Sequence, residues 1–547
     1  MSLHPQELPP VPEETRRVAR AAFPRGNVYM RIRDELGAIY DDQLFAPFFP
    51  ARGQPAASPW RLALTTVMQF AEGLSDRQAA DAVRSRIDWK YALSLELTDP
   101  GFDHSVLSEF RTRLVTGQAE QLLIETLLTQ VRERGLLKVR GRQRTDSTHV
   151  LAAIRVLNRL ELVGETLRHT LNRLAVSAPD WLRTQAPPVW FERYSRRIEN
   201  YHLPKTVAAR EELAATIGTD GQRLLQAVAA ATDRPWLREI PTIQTLRQVW
   251  AEQYTDLPGP LRWRTVQERA PSAEVIASPY NPDARYSTKG GITWVGYKVH
   301  LTETCDDGQP AVITQVLTTP ATTPDCVVGP AIHQNLATHD LLPGLHLLDG
   351  GYVDAELLVT AHTQHQIDVV SPPFGSYSHQ RRAGQGYDLS AFVIDWEAQH
   401  ARCPQGHTSI RWTPGRDVSG DPVVRIRFHG ATCRACPVRQ ACTQAKDAPR
   451  QLTVRPQVFH EAIQAARQRQ ETAEFTAQYA RRAGIEGTHT QAIRRCGLRQ
   501  CRYIGQGKTH LQHGLTATAL NLVRVAAWLE DTPRATTRRS AFAALAA

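Results

Sequence analysis

The chain has 547 residues, 42% of them hydrophobic, which is more than one typical core holds, so two to four folded units are expected and disorder is excluded except at the ends. Its 65 Lys and Arg outnumber 55 Asp and Glu for a net charge of +10, which indicates attraction to a polyanion, although a basic soluble protein without such a partner would look the same. The amino terminus lacks a basic-then-apolar leader pattern, and no apolar stretch approaches the roughly 20 residues that span a bilayer. A cytoplasmic protein with no membrane partner is expected.

Residues 1–57 are rich in proline and charge and are expected to form a flexible, loosely packed lead-in. From Trp60 the pattern turns helical: Leu64, Val67, Met68 and Ala71 form a stripe, Gly73 is a stop, and Ser75-x-x-Gln78 is a capping box opening the next helix. Asp103 or Ser105 is placed to cap a further helix carrying Val106, Phe110 and Leu114. Residues 58–135 therefore form a helical unit. Arg77, Arg84, Arg86, Arg111 and Arg113, expected on its surface, are compatible with helix-turn-helix-like DNA binding. Most such hairpins bind no DNA, and that alternative stays open.

Within 136–150, Lys138, Arg140, Arg142 and Arg144 alternate toward Asp146 with a period near two, as on a strand. Residues 151–275 return to a helical period through Ile154, Leu157, Leu160, Leu167, Leu171 and Leu174, with further helical stretches at 222–231 and 242–254, and are expected to be a helical insertion. Strand signals resume in 276–395, at 292–302, 311–318, 345–348 and 367–370. The fold class is therefore α/β, with an interrupted sheet assembled from distant segments.

Two features of 276–395 bear on chemistry. The apolar run Gly344 to Leu348 ends in Asp349, followed at once by Gly350-Gly351-Tyr352, a turn at the carboxyl end of a buried strand. Ligands collect at that end in open α/β sheets. Lys298 and His300 share a strand face near the same point, where Lys298 could meet phosphate.

Residues 396–450 hold four of the eight cysteines, in Cys403-Pro-Gln-Gly-His407, Cys433-x-x-Cys436 and Cys442; Cys305, Cys326, Cys496 and Cys501 are scattered. In a reducing compartment such a cluster favours metal over disulfides. Four thiolates complete a tetrahedral Zn²⁺ site with no open position, which would be structural. His407 could replace any one of them, and four unligated thiols remain the alternative.

Residues 451–530 read as carboxyl-terminal helices, with 511–529 packing through Leu515, Leu522, Val525 and Leu529, and 531–547 as a flexible tail. Between Gln478 and His510 the chain carries Arg481, Arg482, Arg494, Arg495, Arg499, Arg502 and Lys508 but a single acid, Glu486. Tyr479, Arg482 and Glu486 stand at i, i+3 and i+7, one face of a helix, although Gly484 and Gly487 weaken that helix.

Asp146, Asp349 and Glu486 are thus three distant carboxylates in settings suited to a metal site. Hard carboxylate oxygens bind Mg²⁺ or Mn²⁺ through a few ligands, leaving positions for water and phosphate. Two such ions stabilise the attacking and leaving oxygens of a displacement at phosphorus. Singly, the three acids are equally well a strand cap, a turn former and an ion pair with Arg482.

At these residues the chain resembles the DDE transposases of bacterial insertion sequences, from about Ser58 to Leu529. The resemblance is carried by Thr145-Asp146-Ser147-Thr148, by Trp294-Val295-Gly296-Tyr297-Lys298-Val299-His300, by Thr322-Thr323-Pro324-Asp325, by Asp349-Gly350-Gly351-Tyr352 and by Tyr479-x-x-Arg482-x-x-x-Glu486. It implies an RNase H-like mixed sheet flanked by helices, with Asp146 on the first strand, Asp349 after the fourth and Glu486 on a later helix, the three binding catalytic Mg²⁺ or Mn²⁺. It implies DNA as partner, both the inverted repeats at element ends and the target, and a homodimer or higher oligomer assembled on it. Lys298, Tyr479, Arg482, Arg494 and Arg495 are the DNA-binding candidates. The related pattern has a basic residue seven places after the glutamate; here that position is Ile493, and Arg494 is the nearest substitute. The alternatives are a nuclease on the same scaffold, a catalytically inactive zinc-containing DNA-binding regulator and, because the fold alone does not choose DNA over RNA, an RNA-processing enzyme.

Overall fold

The computed structural model describes residues 2–256, 259–373, 380, 385–532 and 541–545. At its centre six strands form one mixed sheet in the order Arg285–Lys289, Ile292–Thr304, Arg142–Leu151, Leu345–Leu348, Asp368–Val370, with Ile313–Pro320 paired to the later part of Ile292–Thr304. Arg142–Leu151 runs antiparallel to Ile292–Thr304 and parallel to Leu345–Leu348, which in turn is parallel to Asp368–Val370. A parallel pair needs a crossover, and the helix Ala355–His365 supplies it between the last two strands. Along Arg142–Leu151 buried residues alternate at Gln143 and Thr145, then slip to Thr148 and Val150. The slip leaves Asp146 and Ser147 both partly open.

The helix Gln506–Leu529 is the spine of the molecule. It buries Leu511, Leu515, Leu520, Leu522 and Val525 and packs against the helices Pro59–Glu72 and Leu122–Glu133 and the strand Ile313–Pro320. The Asn521 amide accepts from the Ile313 amide N–H at 2.7 Å and donates to the Ile313 carbonyl at 2.8 Å, satisfying both polar groups of an edge residue. One hydrophobic core consequently runs from Leu3 to Ala526 and includes both the amino-terminal helices and the sheet. Among the described residues no helix is long and apolar enough to cross a membrane.

In the amino-terminal unit the Ser75–Gln78 capping box forms, Gly73 ends the preceding helix in the left-handed region at φ +70°, and the Asp103 carboxylate accepts the Ser105 amide at 2.9 Å. Two expectations are corrected there. Residues 1–57 are no loose lead-in: Tyr29, Ile32 and Leu36, at helical spacings of three and four, and beyond them Ile39, Tyr40 and Phe45 are buried in the main core, and proline and charge in the surrounding composition conceal them. Arg111 is not a surface arginine, for it is buried, paired with Asp76 at 2.5 Å and laid over the Tyr503 ring.

The segment expected as a helical insertion, 151–275, is largely helical. Its helices, including Arg159–Ser177, Val207–Ala230 and Pro241–Gln253, enclose their own core around Val163, Leu167, Ile217, Leu224 and Leu246. Residues 393–454 add a hairpin, Val393–Asp395 with His400–Arg402, and a three-stranded antiparallel sheet, Arg411–Arg416, Pro422–Arg427 and Gln451–Val454. Phe392, Ile426, Phe428 and Leu452 form a third, small core beneath the cysteines. Of the expected tail, residues 533–540 and 546–547 lie outside the described residues.

Candidate active site

Three elements bring the carboxylates together. Asp146 lies in the middle of Arg142–Leu151, Asp349 directly follows Leu345–Leu348, and Glu486 is in the first turn of the helix Gly484–Cys496. Pairing Thr145 with Leu348 sets the two aspartates side by side at neighbouring strand positions. Arg482 ties the third element in: its guanidinium is 2.9 Å from Asp146, 3.8 Å from Asp349 and 3.9 Å from Glu486. The side chains open outward in that order, with 18% of Asp146, 44% of Asp349 and 70% of Glu486 exposed against 13% of Arg482.

Burial pushes the Asp146 carboxyl above the usual carboxylate range, and the Asp349 charge adds to this; Arg482 and the Ser147 amide, which donates to Asp146 Oδ1 at 2.8 Å, pull the other way. Burial also works against the charge of Arg482, but Asp146 and the other two acids outweigh it, so its pKa is raised. The Arg482 Nε is buried with no hydrogen-bond partner.

The expected helical face is interrupted. Tyr479 ends the helix Ala473–Tyr479, a tighter 3₁₀ turn covers Ala480–Ala483, and only then does the helix with Glu486 begin. A Cβ on Gly484 at that junction would displace the Arg144 guanidinium. Tyr479 stacks on Phe475, with ring centroids 5.3 Å apart, and stands close enough to Arg482 and the two aspartates to interact electrostatically. Ile493 packs against the core, which accounts for an apolar residue at that position. Arg494 is exposed on the same helix about two turns beyond Glu486. Arg495 turns away from the carboxylates and donates to the Ala71 carbonyl at 2.6 Å.

Several supporting residues escaped the sequence reading. Glu303, fully buried, meets Arg144 at 2.7 Å, Arg524 at 2.9 Å and the Thr488 hydroxyl at 2.6 Å. That cluster fastens the Glu486 helix to the central strands and to the terminal helix. Under Asp146, the Thr145 hydroxyl is 2.7 Å from His346, which is 2.9 Å from His333. A fourth acid, Asp325, ends the motif Thr322-Thr323-Pro324-Asp325. It pairs with Lys298 at 3.0 Å and with Lys289 at 3.7 Å, and lies 3.4 Å from the Ser147 hydroxyl. A Cβ on Gly351 would stand 3.6 Å from the Asp349 carboxylate and 3.7 Å from that of Asp325, so the two acids border one small space. His300, the face-mate of Lys298, is buried and bonded through Nδ1 to the Tyr352 hydroxyl at 2.6 Å.

Away from this centre, Cys403, Cys433, Cys436 and Cys442 line one small cavity together with His407. Burial raises the Cys442 thiol, Arg450 opposes it, and the other three thiols lie near enough to raise it further. Among the described residues, no group of three or more His, Cys, Asp or Glu side chains is already set to hold a metal ion. At the carboxylates a physical reason is visible, since Arg482 lies between them.

The mixed sheet and the helix Gly484–Cys496 thus bring three acids from distant segments to one arginine. Residues 402–526 match the family model described as Transposase DDE domain, and residues 17–113 match that described as Transposase domain (DUF772). Both matched models describe transposase domains, in agreement with the resemblance seen in the motifs. The first contains Tyr479, Arg482, Glu486 and the four clustered cysteines; Asp146 and Asp349 lie outside both. No curated protein matches the chain significantly.

Proposed function

We propose that the chain catalyses metal-dependent cleavage of DNA at the ends of its element and joining of those ends to target DNA, with Asp146, Asp349 and Glu486 as the reacting centre. The observation that carries this reading is the convergence of the three acids on Arg482, at 2.9, 3.8 and 3.9 Å, in a chain with a mixed α/β sheet. Their oxygens suit Mg²⁺ or Mn²⁺. Such an ion, when bound, supplies charge stabilisation to the attacking and leaving oxygens at phosphorus.

The chain's own residues do the rest. Asp146, the most buried of the three, fixes the inner wall, while the open Glu486 closes the site from the helix side. Arg482 receives phosphate oxygens while Lys298 borders the site paired with Asp325, Tyr479 lies against the sugar or base of the bound strand, and Arg494 extends the basic track along the helix. The amino-terminal helices recognise the element ends, and two or more copies act together on them. Cys403, Cys433, Cys436 and Cys442 hold a structural Zn²⁺, a role their four-thiol donor set fits.

The test is cleavage and joining of DNA carrying the ends that flank the gene, with Mg²⁺ or Mn²⁺, by the native chain and by Glu486→Gln. The native chain is expected to cut and join; the variant, isosteric but uncharged, is expected to bind the DNA without cutting. Activity surviving the substitution moves the centre elsewhere. Activity absent from both points to the inactive DNA-binding regulator, and cutting without joining to the nuclease.

A further inference from the structure

Beside the carboxylates lies a groove of about 250 Å³ walled by Ser147, Thr148, His149, Lys289, Ile292, Trp294, Lys298 and Arg499. It contains three cations and no carboxylate. Ligand pockets for drug-sized molecules run to roughly 300–1,000 Å³, so this groove is of the size of a small ligand.

Its construction suits that ligand. Lys289 and Ile292 face each other across a two-residue turn in which Gly290 and Gly291 have φ of +57° and +80°, the left-handed pair that closes a tight hairpin matched to strand twist. The turn holds Lys289 and Ile292 out toward solvent, 66% and 54% exposed. Arg499 is braced by its Nε donating to the Thr148 hydroxyl at 3.1 Å. Lys298 is already neutralised by Asp325 at 3.0 Å, whereas Lys289 is only loosely paired at 3.7 Å. The available positive charge is therefore that of Lys289 and Arg499.

Between them His149 leans on the buried Trp294 ring, with centroids 5.4 Å apart. Burial and the Arg499 charge lower the His149 pKa, so its ring is a neutral flat surface at pH 7. Aromatic faces flanked by cations are how proteins hold unpaired nucleotides, the base stacking and the phosphate pairing. The groove is also continuous with the reacting centre, because Lys289 acts electrostatically on Asp146 and Ser147 belongs to both.

We propose that this groove is a single-nucleotide site, in which an unstacked nucleotide adjoining the reacting phosphate lies on His149 and Ile292 with its phosphates between Lys289 and Arg499. The inference rests on DNA being the substrate, and it adds that the strand enters locally unpaired.

The test measures binding of the full-length chain, without divalent cation so that nothing is cut, to a short labelled oligothymidylate, to an abasic strand of equal length and to a duplex. For the strand, the salt slope of log affinity is expected to fall by about 1.4 in Lys289→Ala/Arg499→Ala, two contacts at about 0.7 each. His149→Ala is expected to weaken oligothymidylate binding about fivefold or more while sparing the abasic strand, and His149→Phe to restore it. Lys289→Glu alone, at an exposed hairpin, must weaken strand binding with an unchanged thermal unfolding curve. An unaltered slope in the double variant, or equal loss on thymidylate and abasic strands, overturns the site while leaving the transposase reading intact. No binding of any DNA by the native chain overturns both.

Discussion

The Arg482 guanidinium forms an ion pair with Asp146 at 2.9 Å from the position where it also faces Asp349 and Glu486, within 4 Å of both. It is the resident cation of the three-acid centre. Two unit charges about 4 Å apart interact by on the order of 4 kcal/mol at the effective dielectric of partly buried sites, and a divalent ion entering beside Arg482 would meet twice that repulsion. Arginine and metal are therefore alternatives at this point.

Arg482→Gln is accordingly expected to bind Mn²⁺ about tenfold or more tightly than the native chain when no DNA is present, as read by calorimetric titration, while losing cleavage activity. Unchanged or weaker Mn²⁺ binding would show that Arg482 stands aside from the ion's place.

Glu303 is expected to matter to the fold more than any other single acid. Removing one member of a buried ion cluster leaves the others unpaired, at a cost of about 3–5 kcal/mol. Glu303→Gln should lower the denaturation midpoint correspondingly, and a loss under 1 kcal/mol would mean that Arg144 and Arg524 find other partners. Burial acts to raise the Glu303 carboxyl, but Arg524 and Arg144 more than offset it and hold it below the usual range. Its contribution is then complete above the ordinary glutamate range and fades only as the pH falls through that depressed value.

Acid should weaken the protein earlier, through its buried histidines. Burial pushes His333 down to about 4 and His513 to about 3, and places His346 well below its ordinary value. A histidine depressed in the fold stabilises it fully above the unfolded value near 6.5 and loses that contribution as the pH falls toward its folded value, at up to about 1.4 kcal/mol per pH unit for each. Thermal midpoints measured at pH 7, 6 and 5 should drop steadily. A flat profile down to pH 5 would mean these imidazoles protonate freely within the fold.

The cysteine segment should carry one zinc per chain by elemental analysis, and Cys433→Ser/Cys436→Ser should lose it. Because metal affinity at such a site is folding energy, a strong chelator should make residues 393–454 sensitive to protease while the main core stays protected. Zinc-free native protein with unchanged proteolysis would favour unligated thiols.

Local signals were enough to set out the elements. The Ser75–Gln78 box, the Gly73 stop, the turn after Leu348 and the apolar face of the last helix all depend on residues within a few positions of one another, and such short-range chemistry can be read directly. The motifs around Asp146, Asp349 and Glu486 likewise named the acids that the fold gathers. What stayed hidden depended on partners far along the chain. Residues 29–45 looked like a charged lead-in because the helices that cover them lie elsewhere. Arg111 looked like surface until Asp76 and Tyr503 enclosed it. Glu303 is one acid in an alternating strand until Arg144 and Arg524, from segments 159 and 221 residues away, close on it. Sequence alone determined which side chains are candidates for the chemistry, since residue type and local spacing define what a group can do. Only the tertiary structure decided which charges are already spent on one another, as Arg482 is on Asp146, because burial and distance set the strength of a charge pair and neither can be read along one dimension.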